Sequence, residues 1–301
     1  MVLLAFTTVS VALSPKLAIL EGAGFREEVF RSRFFQMVIG SFGVWIALGC
    51  GLGIWSLVIA ASIQTVMVGY LAYVEKGSFF REFRNAEDPS DDFSWFRNVV
   101  PFQWRMAIIS VVHFVATQCF PLILLNFHSS IAAGQMGMTL SVTGAIQGLA
   151  LAWVQTKLAV ASDHHAAGER EAAGTIWRTT AVLSTGLIVV ALLVFFLSVL
   201  CLPLLQGGYE SRFISPWHLA IMSMGFVAHH LNAVQAFYIL SRRSLPLFGA
   251  TLVGTLSTAV FVWLGAYFQE TDGLVWGYFL SMVFISLPVH SLAYSYYRAK
   301  R

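Results

Sequence analysis

Nine apolar runs, broken only by short polar punctuation, constrain this chain more than any other feature. They cover residues 1–20, 34–51, 53–73, 106–126, 136–156, 180–205, 217–240, 246–268 and 274–295. Each except the first is long enough to cross about 30 Å of hydrocarbon at about 1.5 Å per helical residue. In lipid only helices and closed barrels satisfy their own backbone groups, and these runs are continuous rather than alternating. The expectation is an all-α polytopic membrane protein of about nine transmembrane helices. Charge agrees: 11% of the 301 residues are charged, against about 25% in a soluble domain, too few to cover a core with polar surface.

Placement of the positive charges sets the expected topology. Of the 18 Lys and Arg residues, every one but Arg212 falls in or at the edge of alternate connections or in the carboxyl tail, Lys16 near the end of the first run. The clusters are Lys16 to Arg33, Lys76 to Arg105, Lys157 to Arg178, Arg242 with Arg243, and Arg298 to Arg301. Basic residues stay on the cytoplasmic side, so the amino terminus is expected outside and the carboxyl terminus in the cytoplasm. The first run starts at Met1 without a basic leader, unlike a cleaved signal peptide. It reaches Pro15 and Lys16 early, as though the protein were entered partway through.

Three segments divide the chain. Residues 1–74 form a three-helix first lobe and residues 106–301 a six-helix second lobe. Residues 75–105 form a cytoplasmic linker in which Phe79, Phe80, Trp95 and Trp104 alternate with Arg81, Arg97 and Arg105, a pattern suited to the headgroup level. An acidic turn, Glu87-Asp88-Pro89-Ser90-Asp91-Asp92, interrupts it. The flanking runs and the segment's short length argue against a nucleic-acid interface there. Residues 21–33 read as a smaller interfacial helix with Glu27 and Arg31 paired at i,i+4. Gly49-Cys50-Gly51-Leu52-Gly53 reads as a tight helical hairpin. The glycine–tryptophan echo between residues 51–56 and 272–277 is consistent with two related lobes.

No acidic residue lies inside a run, so histidines and amides carry the interior chemistry. The fourth run places Ser110, His113, Thr117 and Pro121 on one stripe. The fifth carries Thr139, Thr143 and Gln147, with Gly144 and Gly148 in the spacing of a close helix contact. The seventh is richest: His229 and Gln235 flank Asn232 at about 60° on either side, whereas His230 points the opposite way. Each could form an interhelical hydrogen bond, or several together could line a polar cavity. Cys50, Cys119 and Cys201 lack metal-ligand or redox spacing and read as small buried hydrophobes, with no disulfide framework. No cofactor motif is present.

Residues 13–22 (Leu13-Ser14-Pro15-Lys16 through Glu21-Gly22), Pro101-Phe102-Gln103-Trp104-Arg105 and Ala133-Gly134-Gln135-Met136-Gly137-Met138 resemble the multidrug/oligosaccharidyl-lipid/polysaccharide exporter superfamily. The likeness is to its polysaccharide-biosynthesis, O-antigen-flippase branch. The resemblance implies two six-helix lobes and alternating access in a bacterial inner membrane, here with the first three of twelve helices absent. A partner chain could supply them. It also implies movement of a lipid-linked glycan, with Arg105, His113, Gln147, His229, Asn232 and Gln235 as substrate-binding candidates. Alternatives are multidrug efflux and an intramembrane acyl- or glycosyltransferase using a histidine base. No carboxylate or nucleophile accompanies the interior histidines in sequence, so the expectation is a protein that is not an enzyme.

Overall fold

The computed structural model describes residues 1–85, 94–204, 207–241 and 247–299. The acidic turn at 87–92 and the basic residues Arg242, Arg243, Lys300 and Arg301 lie outside the described residues. Those described are overwhelmingly helical, with no strand among them. Seven helical stretches are long and apolar enough to cross a membrane. Large apolar side chains stay exposed along them, Leu122, Val182 and Phe284 for instance. Lipid covers such surface, and water would not tolerate it. The chain is a multi-pass membrane protein. It forms two compact units, residues 1–93 and 94–301.

In the first unit, α1 (Val2–Gly22) and α2 (Arg26–Gly49) both pack on α3 (Trp55–Gly69), which continues as a π-helical turn over Tyr70–Glu75 before α4 (Gly77–Asn85). The α2–α3 connection is the expected glycine turn: Gly51 and Gly53 take φ of +75° and +50°, conformations that side chains with a Cβ rarely adopt. Leu13, Leu17, Leu20, Val29, Val68 and Leu71 form the core. The expected separate helix at 21–33 does not form. Instead the chain turns at residues 23–25 and Arg26 opens α2 directly. Its charges pair across helices, Arg31 with Glu75 and Lys76 with Glu28, both at 2.9 Å. The π turn delivers Glu75 and Lys76 side by side to α2, which outcompetes the weak i,i+4 pairing along one exposed helix.

The second unit comprises α5 (Trp95–Asn98), α6 (Val100–Thr117), α7 (Phe120–Phe127), α8 (Ser130–Ala166), α9 (Arg170–Cys201), α10 (Pro216–Leu240), α11 (Phe248–Leu280) and α12 (Leu287–Ala299). A break at Gln118–Cys119 separates α6 from α7. Pro121 lacks the N–H that would bond the Thr117 carbonyl, so the helix stops there. With 37 residues, α8 is about 55 Å long and reaches well past any hydrocarbon layer.

Two antiparallel arms make up α11, folded at Gln269 and Glu270, whose backbone leaves the helical region; Glu270 has φ +53°. Glycines let the arms touch. A methyl at Gly265 would collide with the Gly273 backbone, one at Gly277 with the Phe261 carbonyl, and one at Gly254 with the Ser286 side chain. Gly144 and Gly148, expected at such a seam, face open space. The spacing of small residues says that a close contact is possible, but within the second unit no helix arrives. Cys50 and Cys201 are exposed rather than buried, at helix ends near the turns, and all three cysteines are free thiols.

Candidate functional site

Interior polar groups concentrate along α10, the long helix that its own histidines and amides make too polar for the count of apolar stretches. The second arm of α11, a π-helical turn at Ser281–Ser286 and α12 run beside it. The two run parallel in near-constant register: His218 meets Asp272, Gly225 meets Tyr278, Asn232 meets Ser286 and Gln235 meets Ser291.

The π turn makes this register possible. In a regular α-helix, Tyr278 and Ser286 would sit about 80° apart around the axis. Absorbing one extra residue brings them within about 20°, matching Gly225 and Asn232 on α10.

The hydrogen bonds are specific. Asn232 Nδ2 donates to Ser286 Oγ at 2.9 Å, and Gln235 Nε2 donates to Ser291 Oγ at 2.9 Å. His290 bridges two helices: Nδ1 donates to Gln235 Oε1 at 3.2 Å, leaving Nε2 to accept from Thr251 of α11 at 3.2 Å. One turn along α10, His229 stacks on His113 of α6, with ring centroids 5.1 Å apart and planes within 16°. His230 lies on the other side of α10 and bonds Ser184 of α9 at 3.1 Å.

Of the six candidates, the structure therefore brings His113, His229, Asn232 and Gln235 into one column. Gln147 is buried on α8, and neither atom of its amide has a protein partner among the described residues. Arg105 is exposed on α6, about 12 Å along the axis from His113, its guanidinium 5.9 Å from the Phe248 ring. Because Phe248 lies one turn from Thr251, Arg105 marks the end of the column rather than its wall.

The column is packed by its own bonds: Asn232 and Gln235 spend their donors on α12 and the preceding π turn rather than on open space. The hydroxyls of Ser110 and Thr117 turn back onto the α6 carbonyls four residues earlier, the ordinary way a helix satisfies them. Ser286, His290, Ser291 and Thr251 complete the network and were not singled out from sequence. Their only signal was polarity within the last two apolar runs.

Among the described residues no group of His, Cys, Asp and Glu is placed to hold a metal ion. Comparisons with protein families, curated proteins and solved structures found no match.

Proposed function

We propose that the chain is a transporter of the flippase type, acting on lipid-linked oligosaccharide or polysaccharide precursors. The carrying observation is the polar column of α10. One helix brings an imidazole or an amide to successive turns and meets polar partners on α6, α11 and α12. Polar groups are costly at this depth and mark pathways more often than decoration. We read α11 as two spans split at its fold and α6 with α7 as one, for nine spans in all, three in the first unit and six in the second. The basic residues then give an outside amino terminus and a cytoplasmic carboxyl terminus.

In that orientation Arg105 stands at the cytoplasmic mouth of the column. No carboxylate pairs with it among the described residues, so it is free for an anionic diphosphate headgroup. Alternating access requires the Asn232–Ser286 and Gln235–Ser291 bonds to open and exchange for bonds to the passing headgroup. Membrane lipid is the standing partner of the exposed apolar helix faces.

The test is export in a bacterial strain lacking its own flippase. The unmodified chain should restore surface glycan. Asn232→Leu, His113→Leu and Arg105→Gln should lower export at unchanged membrane abundance. No export by the unmodified chain at normal abundance sinks the reading.

A further inference from the structure

At the outer end of α10 lies a constellation that transport does not use. Ser215, the N-cap of α10, places Oγ 2.7 Å from Nδ1 of His218, and Nε2 of the same ring contacts Oδ1 of Asp272. With Nε2–H donating to the carboxylate, Nδ1 is left as the acceptor for the serine hydroxyl. We propose that Ser215, His218 and Asp272 form a nucleophilic serine centre acting on acyl esters of membrane amphiphiles.

The surroundings suit that chemistry. The three residues line a cleft of about 490 Å³ whose other walls include Gln135, Glu270 and Thr271. His218 is mostly enclosed, its side chain 17% exposed, whereas Asp272 opens to solvent. Ser215 sits on the positive end of a 25-residue helix, where negative charge developing on an attacked carbonyl oxygen is stabilised. The first-turn amide of Trp217 has no intrahelical acceptor and adds a donor. Nearby, Trp217 and Phe268 present their rings outward, 66% and 75% exposed, as interfacial anchors do. An ester entering from the lipid boundary therefore meets the hydroxyl without leaving its apolar tail in water.

The step balances. Ser215 Oγ bonds the acyl carbon while its proton passes to His218 Nδ1. The ester C–O bond breaks, and the leaving alcohol takes that proton. Water, deprotonated by the same nitrogen, then releases the acid and restores the hydroxyl. Asp272 holds the ring in the required tautomer and stabilises its charged form, as carboxylates do in serine triads. Glu270, Glu210 and His128 face the same cleft, and Glu270 contacts His128 rather than His218.

The centre stands apart from the transport reading, and its test uses no transport. The purified full-length chain in detergent is treated with a fluorophosphonate probe, and the site of labelling is mapped by mass spectrometry. Labelling is expected at Ser215. It should vanish in Ser215→Gly, a tolerated N-cap, and fall at least tenfold in Asp272→Asn. Hydrolysis of p-nitrophenyl butyrate should be lost with it. No labelling above the heat-denatured chain overturns the proposal. So does labelling that survives Ser215→Gly, or labelling at Ser215 indifferent to Asp272→Asn, which would mark a merely exposed hydroxyl.

Discussion

Gly225 of α10 and Tyr278 of α11 share one space: a methyl carbon at residue 225 would lie 2.6 Å from Cε1 of the ring. The ring is held from other sides by Phe120 and Phe226, each with its centroid 5.4 Å away, and cannot swing clear. Gly225→Ala should therefore cost about 1–3 kcal/mol as an overpacked core. The check is a lowered melting temperature in detergent. An unchanged one would show that α10 and α11 can part freely.

The hydroxyl of Tyr278 is buried without a hydrogen-bond partner among the described residues. Removing an unsatisfied polar atom is close to neutral or mildly stabilising. Tyr278→Phe should thus hold or raise the melting temperature, whereas Tyr278→Ala should lose about 3 kcal/mol or more by opening a cavity. A loss in the phenylalanine variant would reveal a partner for the hydroxyl.

The hairpin glycines and the GxxxG glycines should part company. Gly265→Ala drives a methyl into the backbone of the opposite arm, where no side chain can yield. Gly144→Ala and Gly148→Ala enter open space and gain about 0.5–1 kcal/mol of helix propensity. Thermal melts of the three variants should fall, rise and rise respectively.

Asn232 and Ser286 should be coupled. A double-mutant cycle with Asn232→Ala and Ser286→Ala is expected to return about 0.6 kcal/mol, the average for hydrogen bonds between membrane helices. Zero coupling would mean that the pair spends its time apart, as an open column requires.

Sidedness can be read directly. In a chain with Cys50, Cys119 and Cys201 replaced, single cysteines at Ser130, Gly208 and Thr271 should react with an impermeant thiol reagent from outside. One at Ser241 should not. Cytoplasmic labelling at Thr271 would invert the α11 hairpin.

Much of the helical layout was legible because apolar runs are a local signal. The face of α10 was legible too: 100° per residue groups His229, Asn232 and Gln235 and sets His230 aside, toward Ser184. Their partners were not. Ser286 and His290 are distant in sequence, and their phase depends on a π turn that no residue in Ser281–Ser286 announces. GxxxG misled for a related reason. It reports small side chains on one face, whereas contact needs a second helix to be there. Ser215 and His218 were not singled out from sequence either, because the aspartate that holds the ring is 54 residues away on the neighbouring arm of α11.

The register of α10 has a consequence for how the protein is made. Asn232 and His218 meet partners 54 residues downstream. At about 5–20 residues per second of synthesis, α10 leaves the ribosome roughly 3–11 s before the segment that satisfies it exists. During that interval it is a marginal candidate for the lipid phase. The insertion machinery must either shelter it or let it enter provisionally beside α8 and α9. Nascent-chain crosslinking should therefore find α10 lingering at the translocon until Ser286 and His290 have been synthesised.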